Sequence, residues 1–195
     1  ELLRERNGRV KAEKELRLAN ERLAELSITD QLTGLHNRRH FNNIFQQELQ
    51  RARRDARNLT YIIIDVDFFK RINDNFGHHH GDRALHALAV ILQGTFRESD
   101  IVGRLGGDEF AVFALNVKPD QTRILVDRLE SNIQAYNDTG IEMFNLSASI
   151  GAAYLAPDSD WTLAGVLAEA DRKLYSVKRL RQLETGVARY VRRIT

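Results

Sequence analysis

The sequence predicts an α+β domain, an antiparallel-rich central sheet flanked by helices, set behind a separate N-terminal helical segment. Three observations carry this. The run "LTYIIIDVDFF" is an apolar stretch ending in carboxylates and reads as a central strand over 58–66, buried on both faces. Apolar stretches on either side of Gly106 and Gly107 read as a hairpin. Helical patterns alternate with these strands, and hairpins mixed with crossovers favour a split-βαβ arrangement over a doubly wound sheet.

Residues 1–27 are dense in Glu, Arg, Lys, Leu and Ala and contain no proline. Leu16, Ala19, Leu23 and Leu26 fall at a/d spacing, with Leu2 and Ala12 extending the seam, while Arg9 interrupts it and Gly8 weakens the helix. An amphipathic helix lying on its own domain is one reading. So narrow a stripe better suits a two-stranded coiled coil, a signalling linker to an upstream module. The domain proper then covers 28–195. A loop, "ITDQLTGLHNRR", leads to a helix over 38–56, and the buried strand runs to 66. A short helix over 68–76 stops at Gly77, and a longer one covers 81–96. The hairpin strands occupy 100–105 and 109–116, and Asp120 is expected to cap a helix to 136. A strand over 144–155, a helix over 162–180 and a closing strand "VARYV" over 187–191 complete the chain, which has no internal repeat.

The balance of 29 basic and 27 acidic residues, net charge +2, excludes a broad nucleic-acid-binding face but allows a local pocket for phosphates. With no cysteine, disulfides and thiolate metal sites are excluded, and a reducing cytoplasm is acceptable. No apolar run approaches the roughly 18 residues of a membrane span. The chain begins at Glu1 and its single methionine is Met143, so an upstream sensor portion is expected, free to be membrane-attached.

The chemistry concentrates in carboxylates. Asp65 and Asp67 end the buried strand, and Asp108 with Glu109 follow the two glycines of the hairpin. A hairpin beside the central strand brings Asp65 near Asp108 and Glu109. Hard oxygens without His or Cys suit Mg²⁺ or Mn²⁺, and a divalent ion relieves their repulsion. Asp65 alone could equally be a helix N-cap. In "DFFKRIND", the N–H groups of Val66 to Phe69 at a helix start are expected to form an anion site. Gly106 and Gly107 leave room for a ligand to approach. Asn73 and Asp82 carry the donor and acceptor groups that read a base edge, where an Asp favours guanine over adenine; each could instead be a surface helix residue or a cap.

These residues resemble the GGDEF-domain diguanylate cyclases, named for the five residues Gly106 to Phe110. The resemblance extends through "DQLTGLHNRR" at 30–39, "DVDFFKRINDNFGHHHGD" at 65–82, "SIGAA" at 149–153 and "EADRKLYSVK" at 169–178, in order and with the family's spacing. It implies a nucleotide-cyclase or polymerase-palm-like fold. It also implies a metal site of Asp65, Asp108, Glu109 and the Val66 carbonyl, holding two Mg²⁺ or Mn²⁺ ions per half-site. Glu109 would also help activate the attacking hydroxyl. GTP would be held by Asn73 and Asp82 at the guanine, by Phe68, Phe69 and Lys70 at the phosphates, with Gly106 and Gly107 against it, and by Lys178 at the terminal phosphates. The family continues that last helix with a Gly-Arg pair where this chain has Arg181 and Gln182, which removes one cation; Arg181 is the candidate substitute.

The implied reaction condenses two GTP into cyclic di-GMP and releases two pyrophosphates. Each site holds one GTP, so a homodimer is required, formed through the N-terminal helix and the catalytic faces. The stretch "RESD", Arg97 to Asp100, resembles the family's inhibitory site for the product, with Arg128 as a secondary arginine. Taken alone, Arg97 and Asp100 read as a surface ion pair. The run His78 to His80 reads as a structural turn. The competing class is a receptor that binds cyclic di-GMP or GTP without turnover, for which Arg181 and Gln182 are the support.

Overall fold

The computed structural model describes residues 28–157, 159 and 161–191. The expected coiled-coil segment, 1–27, lies outside the described residues. The chain runs β1 (His36–Asn37), α1 (Arg38–Arg54), β2 (Leu59–Val66), α2 (Phe69–Phe76), α3 (His78–Thr95), β3 (Ile101–Gly106), β4 (Glu109–Leu115), α4 (Pro119–Asp138), β5 (Ala148–Leu155) and α5 (Leu163–Val191). The strands form one sheet in the order β1-β3-β4-β2-β5. Every pairing is antiparallel except the short β1–β3 contact. This is the α+β, antiparallel-rich palm-like arrangement that the sequence predicts.

All eight residues of β2 are buried because helices cover both faces of the sheet. Ile62, Ile64 and Val66 point into one core layer with α3 and α4, while Tyr61 and Ile63 point into the other with α1 and α5. Side chains alternate along a strand, so Asp65 emerges on the α1/α5 face. In α1, Phe41, Phe45, Leu49 and Ala52 make one apolar stripe, and the Asn37 side chain accepts from the His40 N–H at 2.9 Å to cap it. Phe45 meets Phe113 edge-on at 4.6 Å and stacks on Tyr61 at 5.1 Å.

Several boundaries differ from the sequence reading for local reasons. Phe68 does not belong to α2 but precedes it in the left-handed conformation, φ 56°. His78 to His80 form the first turn of α3 rather than a turn before it, with His80 Nδ1 at 2.8 Å from the Phe76 carbonyl. Asp120 is not the cap of α4: Pro119 opens the helix, Lys118 is its N-cap, and Asp120 lies in the first turn, where its charge suits the helix dipole. Residues Phe144 to Ser147 are not strand, since the Asn137 amide takes both the N–H and the carbonyl of Leu146, each at 2.8 Å. The expected closing strand over 187–191 is helix: α5 runs on to Val191 through Gly186, with no proline to end it.

Candidate active site

The site begins at the end of β2. Cross-strand pairing aligns Asp65 with Glu109 on β4 and with Ser149 on β5. The hairpin that carries Asp108 turns at Gly106, φ 138°, and Gly107, φ 54°. Nothing lies within 4 Å of a Cβ built on either glycine, so the backbone conformation itself calls for glycine and the surroundings are open. The Val66 N–H donates to the Asp108 carbonyl at 3.1 Å, which fastens the turn to the strand.

Asp65 is buried, and Lys178 from α5 reaches its Oδ2 at 2.7 Å. Burial raises the Asp65 pKa above the ordinary carboxylate value, Asp108 and Glu109 add to the rise, and Lys178 opposes it. Asp65, Phe68, Lys70, Asp108 and Lys178 border one cleft of about 270 Å³. Val66, Asp67, Phe69, Arg181 and Gln182 complete its walls. Glu109 shares the face with Asp65 by strand register. Among the described residues no three His, Cys, Asp or Glu side chains converge on one point, so the three-carboxylate cage is not drawn together. The donor types nonetheless fit a hard divalent cation: the carboxylates of Asp65, Asp108 and Glu109 lie at one end of the sheet, with Asp65 held by Lys178.

The expected anion site is narrower than the sequence suggested. The Val66 and Asp67 N–H groups are already bonded, to Asp108 and, at 2.8 Å, to Ser147. Phe68, Phe69 and Lys70 remain, at a turn where the left-handed Phe68 re-aims the backbone. Asn73 packs against Gly81, whose added Cβ would lie 2.0 Å from Asn73 Oδ1. That oxygen is buried with no hydrogen-bond partner, and Asp82 beside Gly81 is exposed.

Two positions take roles that the sequence reading did not give them. Asp67 accepts from Ser147 Oγ at 2.7 Å and from Ser149 Oγ at 2.5 Å, and it pairs with Arg181. Arg181 therefore borders the cleft with its guanidinium shared among Asp67, Ser147 and Glu130, a more committed arrangement than a phosphate ligand alone requires. The second is Arg104, two residues before Gly106. It donates to Asp30 Oδ1 at 3.0 Å and to the Gly107 carbonyl at 2.7 Å, joining the first described segment to the hairpin turn. The signal was the charge of Arg104, two residues before the glycine pair, and of Asp30 in "DQLTGLHNRR".

Asp30 yields a pH prediction. Burial would raise its pKa, but bonds from Thr33 and Arg104 outweigh this and hold it below the ordinary value of 3.8. A lowered native pKa contributes stability that is present above the unfolded value and lost as pH falls through the native one. Thermal melts from pH 6 down to pH 2.5 are expected to show that acid-side loss. Arg104→Ala should make it shallower; an identical profile in the variant would remove Arg104 as its cause.

At the other end of β3, the Asp100 carboxylate accepts from the backbone N–H of Arg97 at 3.0 Å and of Leu115 at 3.3 Å. Asp100 is thus held by backbone. Arg97, Asp100 and Arg128 line one cavity of about 220 Å³ with Gln121 and Leu125, and Arg128 also bonds the Thr95 carbonyl. No helix among the described residues is long and apolar enough to cross a membrane.

The family model "Diguanylate cyclase, GGDEF domain" matches residues 27–183. Over 171 residues the chain is 37% identical to the probable diguanylate cyclase DgcC of Escherichia coli (strain K12), covering 86% of this chain and 45% of that protein. It is 36% identical over 157 residues to the response regulator PleD of Caulobacter vibrioides (strain NA1000 / CB15N), covering 79% of this chain and 34% of that protein. The chain thus spans less than half the length of these curated relatives. Among solved structures, it is similar to diguanylate cyclase SiaD from Pseudomonas aeruginosa, in complex with its activator SiaC. That likeness has a TM-score of 0.70 at 31% identity and covers 90% of this chain and 68% of SiaD. The GGDEF domain of PA1120 (TpbB or YfiN) from Pseudomonas aeruginosa aligns with a TM-score of 0.71 at 35% identity, covering 78% of this chain and 89% of that one.

Proposed function

The chain belongs to the GGDEF-domain diguanylate cyclase family, and from that premise we propose that it condenses two GTP into cyclic di-GMP. The observation that carries the proposal is the meeting of opposite needs at one end of the sheet. Asp65, Asp108 and Glu109 present negative charge at a cleft that also holds Lys178, paired with Asp65, together with Lys70 and the start of α2.

The residues would divide the work by chemistry. Asn73 would meet the guanine; its Oδ1 is buried against Gly81 without a hydrogen-bond partner, so its side chain has to turn outward for that oxygen to accept from a guanine N–H. Asp82, exposed beside it, accepts from the remaining edge of the base. The backbone of Phe68 to Lys70 and the Lys178 ammonium receive the phosphates. Asp65, Asp108, Glu109 and the Val66 carbonyl would hold Mg²⁺ or Mn²⁺, which stabilises charge on the reacting phosphoryl oxygens when bound. Glu109 draws the proton from the attacking 3′-hydroxyl. Each new 3′-O–P bond forms at an α-phosphate as the bond to the β-phosphate breaks and pyrophosphate leaves. One half-site holds one nucleotide, so two copies of the chain face each other, and the segment 1–27 brings them together.

Incubation with GTP and Mg²⁺ at concentrations that enforce a dimer is expected to yield cyclic di-GMP by chromatography. GTP binding without product over hours would sink the enzyme reading in favour of a receptor. We extend the reading to product inhibition at Arg97, Asp100 and Arg128, whose side chains share a cavity away from the cleft. Arg97→Ala is expected to raise the concentration of cyclic di-GMP needed for half-inhibition by about tenfold or more, the loss of one charge-assisted contact. Initial rates should stay near those of the unaltered protein; an unchanged inhibition curve would move the inhibitory site elsewhere.

A further inference from the structure

Two cations one turn apart on α5 reach the two aspartates at the end of β2, and they are held very differently. Arg181 is braced by Asp67, by Ser147 Oγ at 2.7 Å and by Glu130 at 3.4 Å. Asp67 is itself fixed by two serine hydroxyls. Among the described residues Lys178 has Asp65 as its ion-pair partner, at 2.7 Å, and its side chain is 34% exposed while that of Asp65 is 8% exposed. An ammonium on a flexible stem changes partners easily, whereas a guanidinium fixed on three sides does not.

Asp65 Oδ2 is therefore subject to two claims. Under the reading proposed above, Asp65 holds a divalent cation at about 2.0–2.1 Å and Lys178 holds a terminal phosphate. A divalent ion on Asp65 would lie close to the ammonium that Lys178 holds against Oδ2, so the two positive charges repel across one carboxylate. We propose that Lys178 competes with the divalent cation for Asp65, so that cation binding and triphosphate binding in this cleft are positively coupled through one lysine. A phosphate that draws Lys178 away clears Asp65 for the cation. A cation on Asp65 in turn releases Lys178 to the phosphate, as reciprocity of linkage demands. Arg181 stays with Asp67, which confines the exchange to Lys178. The coupling rests on the assignment of Asp65 as a cation ligand, and not on whether cyclic di-GMP is made.

The test uses Mn²⁺ alone, titrated into the full chain and followed by electron paramagnetic resonance. Lys178→Met is expected to bind Mn²⁺ about 5- to 20-fold more tightly than the unaltered protein, and Lys178→Gln should agree. Lys178→Arg, which keeps an ion pair on Asp65, should remain near the unaltered affinity. Adding Asp65→Asn to Lys178→Met should abolish the gain. The proposal is overturned if Met and Gln bind Mn²⁺ no more tightly, or if the gain survives the loss of Asp65. Production of cyclic di-GMP with no tightening would refute the coupling and leave the reaction standing. Tightening through Asp65 without product would support the coupling and refute the reaction.

Discussion

Glu109→Ala is expected to lower the rate of cyclic di-GMP formation by about 10²- to 10⁴-fold, the range for loss of a positioned proton acceptor, while the melting temperature holds or rises. Glu109 lies directly across from Asp65 in the β2–β4 ladder, with its backbone fixed by the hairpin. Truncation at Cβ leaves that ladder intact. It also removes one of the charges that, after burial, raise the Asp65 pKa. A carboxyl whose native pKa is raised is best tolerated below the unfolded value, and its contribution to stability is lost as pH rises through the native pKa. At neutral pH, deleting a neighbouring carboxylate therefore relieves Asp65. Loss of activity with a Tm equal to or above that of the unaltered protein would mark a site assembled at the expense of stability. Turnover within about tenfold of the unaltered protein would exclude Glu109 from the chemistry.

Gly151→Ala should be the most destabilising small substitution in the sheet. Gly151 sits on β5 beneath α5, and a Cβ there would lie 2.2 Å from the Ala170 carbonyl oxygen, 2.6 Å from the Leu174 nitrogen and 2.9 Å from Leu174 Cβ. These are backbone and Cβ atoms, so no side chain can rotate aside and the helix must lift. Overpacking of this kind costs about 3 kcal/mol or more, a fall in Tm of roughly 6–12 °C for a chain of this size. Leu174 lies one turn before Lys178, so the same lift would draw Lys178 from Asp65. A melting temperature within about 2 °C of the unaltered protein would show that the helix yields at little cost.

Much of the fold was legible because its signals are local. The β2 run has Thr60 as its one hydroxyl-bearing aliphatic among Leu59, Tyr61 and Ile62 to Ile64, and a strand so composed must be covered on both faces. The hairpin was legible because two adjacent glycines adopt backbone conformations that other residues resist. The ends of elements were less so. Lys118 rather than Asp120 caps α4 because Pro119 sets where the helix starts. The segment 187–191 reads as strand by composition yet continues α5, which runs through Gly186 with no proline to stop it.

By itself the sequence determined which residue types meet: carboxylates at the end of a buried strand and on a glycine turn, with a lysine on a late helix. Strand periodicity and turn chemistry are short-range, so they survive without knowledge of the rest of the chain. Only the tertiary structure decided the partners. Register set Asp65 against Glu109, and the close seat of α5 on Gly151 brought Lys178 to Asp65 and Arg181 to Asp67. The pairing of β1 with β3 set the segment before it so that Asp30 meets Arg104, 74 positions away in the chain. Such pairings depend on how distant segments rest on the sheet, a consequence of side-chain volume and burial that no local pattern encodes.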